Sequence, residues 1–148
     1  LLNKGEFHIV VHLWIVNDKK EILIQKRQSW KKSNPNMWDC SVAGSAISGE
    51  SSIQALLRET KEELGLNIDP RLVHLLFTHK FTCGFDDVWL AFKSISLEQL
   101  KLDPSEVAKV EWVSQDKIIE MTKNGKFKKY PYLERIFKII NKTEDFNR

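Results

Sequence analysis

The chain has 148 residues, a net charge of +3, 42% hydrophobic residues and 29% charged residues. That composition fits an ordinary soluble globular protein with one core and excludes disordered, collagen-like and low-complexity chains. The excess charge is too small for a nucleic-acid partner and no run approaches 18 apolar residues, so neither nucleic acid nor membrane is expected as a partner.

Two cysteines, Cys40 and Cys83, and a core that needs no staple fit a reducing, cytoplasmic setting. Leu1–Lys4 lacks the apolar stretch of a signal peptide. Phe7, Ile9, Val11, Leu13 and Ile15 are apolar at alternate positions in a β-branched run, which predicts a buried strand. Asn17–Lys20 supplies a polar turn, and Glu21–Gln28 reads as a second strand. Ser29–Asn36 is a polar loop carrying Lys31 and Lys32. A short strand over Trp38–Ala43 then leads into a small-residue loop, Gly44–Gly49.

Ser51–Leu64 carries the strongest helix signal. Ser51 with Gln54 forms a capping-box pattern, and Gly65 stands where a helix stop belongs. Asp69-Pro70 breaks the chain. Leu72–Thr82 and Asp87–Lys93 predict two strands joined through Cys83–Asp86. Val107–Val113 predicts another, followed by closing helices over Ser114–Lys123 and Pro131–Asn141. With neither repeat nor linker, residues 1–148 read as one α/β domain.

At about 100° per residue, Ile53, Leu56, Leu57, Thr60 and Leu64 form one stripe of the predicted helix. Glu59, Glu62 and Glu63 fall on an adjacent arc, off that stripe. Like charges at these spacings cost a helix about 0.2–0.5 kcal/mol per pair. A solvated acidic face is the ordinary explanation; an oxygen-ligand site for Mg²⁺ or Mn²⁺ is the alternative, because a divalent cation turns repulsion into coordination. The helix alone does not choose between them.

The preceding residues extend the pattern. Gly44, five residues, Glu50, seven residues, Arg58-Glu59-Thr60, one residue, Glu62-Glu63, one residue and Gly65-Leu66 match the Nudix box, G-x5-E-x7-R-E-U-x-E-E-x-G-U. Thr60 is the one departure, standing where an aliphatic residue is usual. The chain therefore resembles the Nudix hydrolases over roughly residues 6–123, most of its length.

The resemblance implies a Nudix-type α/β/α sandwich with a mixed β-sheet and Mg²⁺-dependent hydrolysis of a diphosphate linkage, with Mn²⁺ as a substitute. The implied substrate is a small molecule, such as a nucleoside diphosphate derivative. Such chemistry needs a cation on phosphate oxygens and a carboxylate to order the attacking water. Carried over residue by residue, Glu59 and Glu63 would be the main metal ligands, with Glu62 alongside and the Gly44 carbonyl completing the set. Glu50, Arg58 and Gly65 would be structural, the first two as an ion pair. Homodimers are common among such proteins, so a homodimer is the expected alternative to a monomer.

Residues 5–27, the Pro35–Trp38 loop and the box also resemble the branch related to isopentenyl-diphosphate isomerase. In that enzyme a catalytic Cys precedes the box Gly and a metal-binding His follows it; here Ala43 and Ser45 stand there. Ala cannot transfer a proton and Ser is a poor substitute for imidazole. A hydrolase is therefore expected, with an isomerase-like enzyme or a non-catalytic nucleotide-sensing module as alternatives.

Outside the box, Arg27 and Lys26 are expected to reach substrate phosphate, with Lys31 in support. Trp38 is read chiefly as core, with stacking on a base as its other use. Glu106, before the Val107–Val113 strand, is the candidate carboxylate from outside the box, and Asp87 is its rival. His8 and His12, about 13 Å apart along a strand, are too distant for one zinc ion. His74 and His79 are expected on opposite faces of their strand. The Lys123–Lys129 run reads as a solvated loop.

Overall fold

The computed structural model describes residues 8–143. Phe7, the first residue of the predicted alternation, lies outside them. The described elements are β1 (His8–Val16), β2 (Ile22–Arg27), β3 (Trp38–Asp39), β4 (Val42–Ser45), α1 (Ser52–Leu64), β5 (Val73–Phe81), β6 (Gly84–Phe92), β7 (Val107–Val113), α2 (Gln115–Lys123) and α3 (Leu133–Lys142). Short 3₁₀ turns cover Pro70–Leu72 and Leu97–Gln99.

The strands form one mixed seven-stranded sheet in the order β3-β2-β1-β6-β5, with β4 paired to β1 and β7 paired to β2. Among the described strand pairs, only β1 and β6 run parallel. One edge of β1 is divided: Ile15 and Val16 pair with β2, while Val10–Leu13 pair with β4. This division brings the strand that carries the box glycine to the middle of the fold.

Helices cover both faces, so both phases of the central strand are buried from Val11 onward, His12 included. Val11, Leu13 and Ile15 pack with Leu23, Val42, Trp89 and the α1 residues Ala55, Leu56 and Leu64. Trp14 and Val16 point the other way, into a core shared with Ile118 and Met121 of α2 and Ile136, Phe137 and Ile140 of α3. Alternation with both phases apolar is what a strand buried on two faces requires. The result is an α/β/α sandwich, as expected.

Four local expectations need correction. Trp38–Ala43 is not one strand: the chain breaks at Cys40-Ser41, where Ser41 Oγ accepts from the Ile15 N–H and donates to the Leu23 carbonyl. Gly44 and Ser45 belong to β4 rather than to the following loop. The β5–β6 connection is a tight turn at Thr82-Cys83, with Gly84 already in strand. Gly84 permits this because a Cβ there would lie 2.0 Å from the His8 carbonyl oxygen. Finally, the β5 register slips between Leu75 and Phe77. His74 therefore pairs with Leu90 and His79 with Asp86, and an even spacing on the partner puts both histidines on one face.

Candidate active site

The box helix is fixed at both ends. Ser51 Oγ accepts from the Gln54 N–H, and Gln54 Oε1 accepts from the Ser51 N–H at 2.9 Å. Gly65 ends the helix at φ +66°. Beyond it, the Lys101 and Asp103 amides donate to the Leu64 and Glu63 carbonyls, which satisfies the end of the helix. Thr60 Oγ1 donates to the Leu56 carbonyl at 2.7 Å, so the hydroxyl that departs from the family pattern is satisfied within the buried face.

Arg58 organises the polar side of α1. Its Nε and one terminal nitrogen grip the two Glu50 carboxylate oxygens at 2.8 and 3.0 Å. The remaining donors reach the Ser45 carbonyl at 3.0 Å, Glu59 Oε1 at 3.0 Å and Glu62 Oε2 at 3.1 Å. Glu50 also accepts from the Ile47 N–H at 2.8 Å, which closes the loop between β4 and α1. This bidentate pair, with the neighbouring loop amide, holds the Glu50 carboxyl below its ordinary range.

Glu59 and Glu63 turn inward. Glu63, which the helical spacing sets off the apolar stripe, is only 6% exposed, a correction to its expected place on an outer arc. The reason is a polar slot on the inner face, where Gln25 Nε2 donates to Glu63 Oε1 at 2.7 Å and to the Ser41 carbonyl at 2.9 Å. The Ala43 amide also donates to the Glu63 carboxylate. Burial pushes the Glu63 carboxyl well above its usual range, and the Glu59 carboxyl hydrogen-bonded to it adds to the rise. Glu62 takes the opposite course: its side chain is 55% exposed and held by Arg58.

Gly44 lies against this pair. A Cβ at residue 44 would sit 2.2 Å from Glu59 Cδ and 2.6 Å from Glu59 Oε1, so only glycine leaves the carboxylate its place beside the β4 backbone. Among the described residues, no three His, Cys, Asp or Glu side chains converge on one metal-sized position. Two adjacent carboxylates beside a bare backbone nevertheless fit Mg²⁺, which binds through one or two carboxylates and takes its other oxygens from water and phosphate.

The other candidate residues are held by contacts of their own, and Trp38 lies in the core on the face away from α1. Lys26 pairs in register with Trp38 across β2 and β3, and Arg27 Nε donates to the Ser33 carbonyl at 3.0 Å. Lys31 forms an ion pair with Glu106. Trp38 is packed in the core, with Lys109 Nζ 5.3 Å above its ring. Asp87 is 8% exposed, accepts from Thr78 Oγ1 at 2.6 Å and pairs in register with Val11, which itself pairs with Gly44. Asp87 thus shares a row across the sheet, and the α1 face, with the box glycine. Gln25 was not anticipated. Its signal was the alternation of β2: counted from Leu23, Gln25 faces α1, where a polar residue needs a polar partner.

Comparison with known proteins agrees with the fold and with the box. The NUDIX domain family model matches residues 6–136. An uncharacterized Nudix hydrolase of Listeria innocua is 45% identical over 142 residues, covering 96% of this chain and 84% of that protein. An isopentenyl-diphosphate Delta-isomerase of Escherichia coli is 28% identical over 110 residues, covering 71% of this chain and 60% of that one. The crystal structure of a MutT protein from Methanosarcina mazei shares the fold at a TM-score of 0.73 and 24% identity, covering 96% of this chain and 100% of that one. The box, its glycine-lined carboxylate pair and the breadth of these matches lead to one conclusion: the chain belongs to the Nudix hydrolase family.

Proposed function

We propose that this protein hydrolyses a diphosphate linkage in a nucleoside diphosphate derivative or a similar small molecule, with Mg²⁺ as cofactor and Mn²⁺ as its substitute. The observation that carries the reading is the notch at Gly44, which a side chain would close and which Glu59 fills with a carboxylate. Glu59, Glu63 and the Gly44 carbonyl would hold the cation, with Glu62 reaching it through its own outer position on the helix. When bound, Mg²⁺ supplies neutralising charge to phosphate oxygens and acidifies a water. Gln25 and the Ala43 amide keep the Glu63 carboxylate aimed at the β4 backbone. Arg58 and Glu50 set the loop, and Gly65 sets the end of the helix.

Lys26, Arg27 and Lys31 contribute positive charge on β2 and the loop after it, and are proposed to bind phosphate. Glu106 is proposed as the water-ordering carboxylate from outside the box, with Asp87 as the rival. The 28% likeness to an isomerase supports an isomerase-like branch within the family. Ala43 and Ser45 argue against isomerisation itself, because neither supplies the thiol or the imidazole that a double-bond shift needs. We place the protein in the cytoplasm on its composition; among the described residues no helix is long and apolar enough to cross a membrane.

A Mg²⁺-dependent turnover screen tests the proposal. The panel holds nucleoside di- and triphosphates, nucleotide sugars, dinucleotides, coenzyme A and isopentenyl diphosphate, read by mass spectrometry, with chromatography for the isopentenyl isomers. Cleavage that disappears with Glu63→Gln is the expected result. Isomerisation without cleavage would overturn it.

A further inference from the structure

Two charged groups proposed for work outside the box, Lys31 for phosphate and Glu106 for water, hold each other. Lys31 Nζ lies 2.5 Å from Glu106 Oε2, with the Lys31 side chain 25% exposed and that of Glu106 44% exposed. Among the described residues neither has another ion-pair partner. Asp103 also feels the Lys31 charge, but its Oδ1 is taken by the Ser105 N–H at 3.0 Å and the Ser105 hydroxyl at 2.7 Å. An ammonium already bound to a carboxylate has fewer donors left for phosphate. A carboxylate that accepts from an ammonium has fewer lone pairs left for a water. The two roles therefore exclude each other while the pair is closed.

The backbone around the pair is pinned. Gln28 Nε2 donates to the Pro104 carbonyl at 2.8 Å and to the Val107 carbonyl at 3.3 Å. The Trp30 indole N–H donates to the Ser105 carbonyl at 3.2 Å, and the Gln28 N–H donates to the Glu106 carbonyl at 3.3 Å. The same turn is tied to the box helix, because the Asp103 N–H donates to the Glu63 carbonyl at 3.1 Å. Opening the ion pair therefore calls only for rotation of the flexible Lys31 side chain, with loop and turn left in place. Glu106 would then stand uncovered on a turn already fixed to a proposed metal ligand.

We infer that Lys31 and Glu106 form a latch worked by the substrate: its phosphate takes Lys31, and the exchange frees Glu106 to accept from the attacking water. A phosphate group carries more negative charge than the carboxylate it replaces and offers Lys31 more oxygens. The carboxylate is thus released only when an anion is in place, which guards the centre against idle turnover of water. Towards that water Lys31 is a positioning residue, acting through Glu106. The latch makes and breaks no covalent bond; one cation exchanges one anion for another. The inference rests on the diphosphate-hydrolase reading, because it needs the phosphates beside the box.

The test measures binding of methylenediphosphonate, a diphosphate analogue that resists cleavage, to the full chain by calorimetry with Mg²⁺ present. In a latch, Glu106 competes with the phosphate for Lys31. Glu106→Gln should therefore bind the analogue about two- to fivefold more tightly, the range set by an exposed ion pair. Lys31→Gln should weaken binding, and Glu106→Gln added to it should bring no further gain. A carboxylate that acts on water alone predicts no gain in the single variant. One that merely repels phosphate predicts the same gain with and without Lys31. Either result, in folded variants, overturns the inference. Carbon-13 spectra of the wild type give a reading that needs no variant: the Glu106 carboxyl signal should move as the analogue binds, and an unmoved signal means a latch that stays shut. Wild type that binds Mn²⁺ but not the analogue overturns the latch and leaves the metal centre standing. If wild type fails to bind Mn²⁺ at all, the hydrolase reading falls first.

Discussion

Gly44 and Glu59 occupy a space that admits only one side chain: a methyl group on residue 44 would lie 2.2 Å from Glu59 Cδ. The obstacle is the end of a flexible side chain, so Gly44→Ala should fold, with Glu59 displaced. A reacting group moved by about 1 Å can lose on the order of a hundredfold in rate. We expect a loss of that size in Gly44→Ala, with melting temperature close to wild type. A variant of full activity would remove Gly44 from the site.

The buried Glu63 predicts a gain in stability from a loss of function. Its native carboxyl is raised by burial and by Glu59, so the native state holds a proton that the unfolded chain releases near pH 4.3. Between that value and the raised native one, the folded protein binds more protons than the unfolded one. Without metal, the contribution is complete at acidic pH and lost as pH rises through the native value. Glu63→Gln should remove this slope and raise metal-free stability at neutral pH by on the order of 1 kcal/mol, or about 2–4 °C in melting temperature. Thermal melts in chelator across pH check it; equal pH slopes for both proteins would refute it.

Gly65 tests the closure of the helix independently of the chemistry. It sits at φ +66°, and a Cβ there would lie 2.7 Å from the Lys101 backbone oxygen. An L-residue in the left-handed region costs about 1–2 kcal/mol, and backbone is a harder obstacle than a side-chain tip. Gly65→Ala should lower the melting temperature by at least about 3 °C. Denaturant midpoints would serve equally well.

Arg58→Lys examines the clamp. Lysine keeps the charge but cannot fork onto both Glu50 oxygens while reaching Ser45, Glu59 and Glu62. Faster amide exchange at Ile47, whose N–H rests on Glu50, is the expected outcome. Unchanged exchange there would mean that the loop closes without the guanidinium.

The framework was legible because its signals are local. Alternation in β1, the capping box at Ser51 and Gln54, and the stop at Gly65 are each set by neighbours in sequence, and the box spacing fixes which carboxylates share a helix face. What escaped was set by partners far along the chain. Helical spacing could not foresee that Gln25, 38 residues before Glu63, would draw that carboxylate under the sheet. The slip in β5 that brings His74 and His79 to one face depends on β6. The His12–Asp86–Tyr132 chain joins three elements, and no spacing rule connects residues 12, 86 and 132.

The central claim is a divalent-metal centre built on Glu59 and Glu63, and Mn²⁺ binding tests it without knowledge of the substrate. Electron paramagnetic resonance would count free Mn²⁺ during titration of wild type, Glu59→Gln and Glu63→Gln, each checked for folding. Coordination supplies several kcal/mol, and each 1.4 kcal/mol is tenfold in affinity. We predict binding to wild type and a loss of about a hundredfold or more in either variant. Equal binding by all three folded proteins would contradict the account.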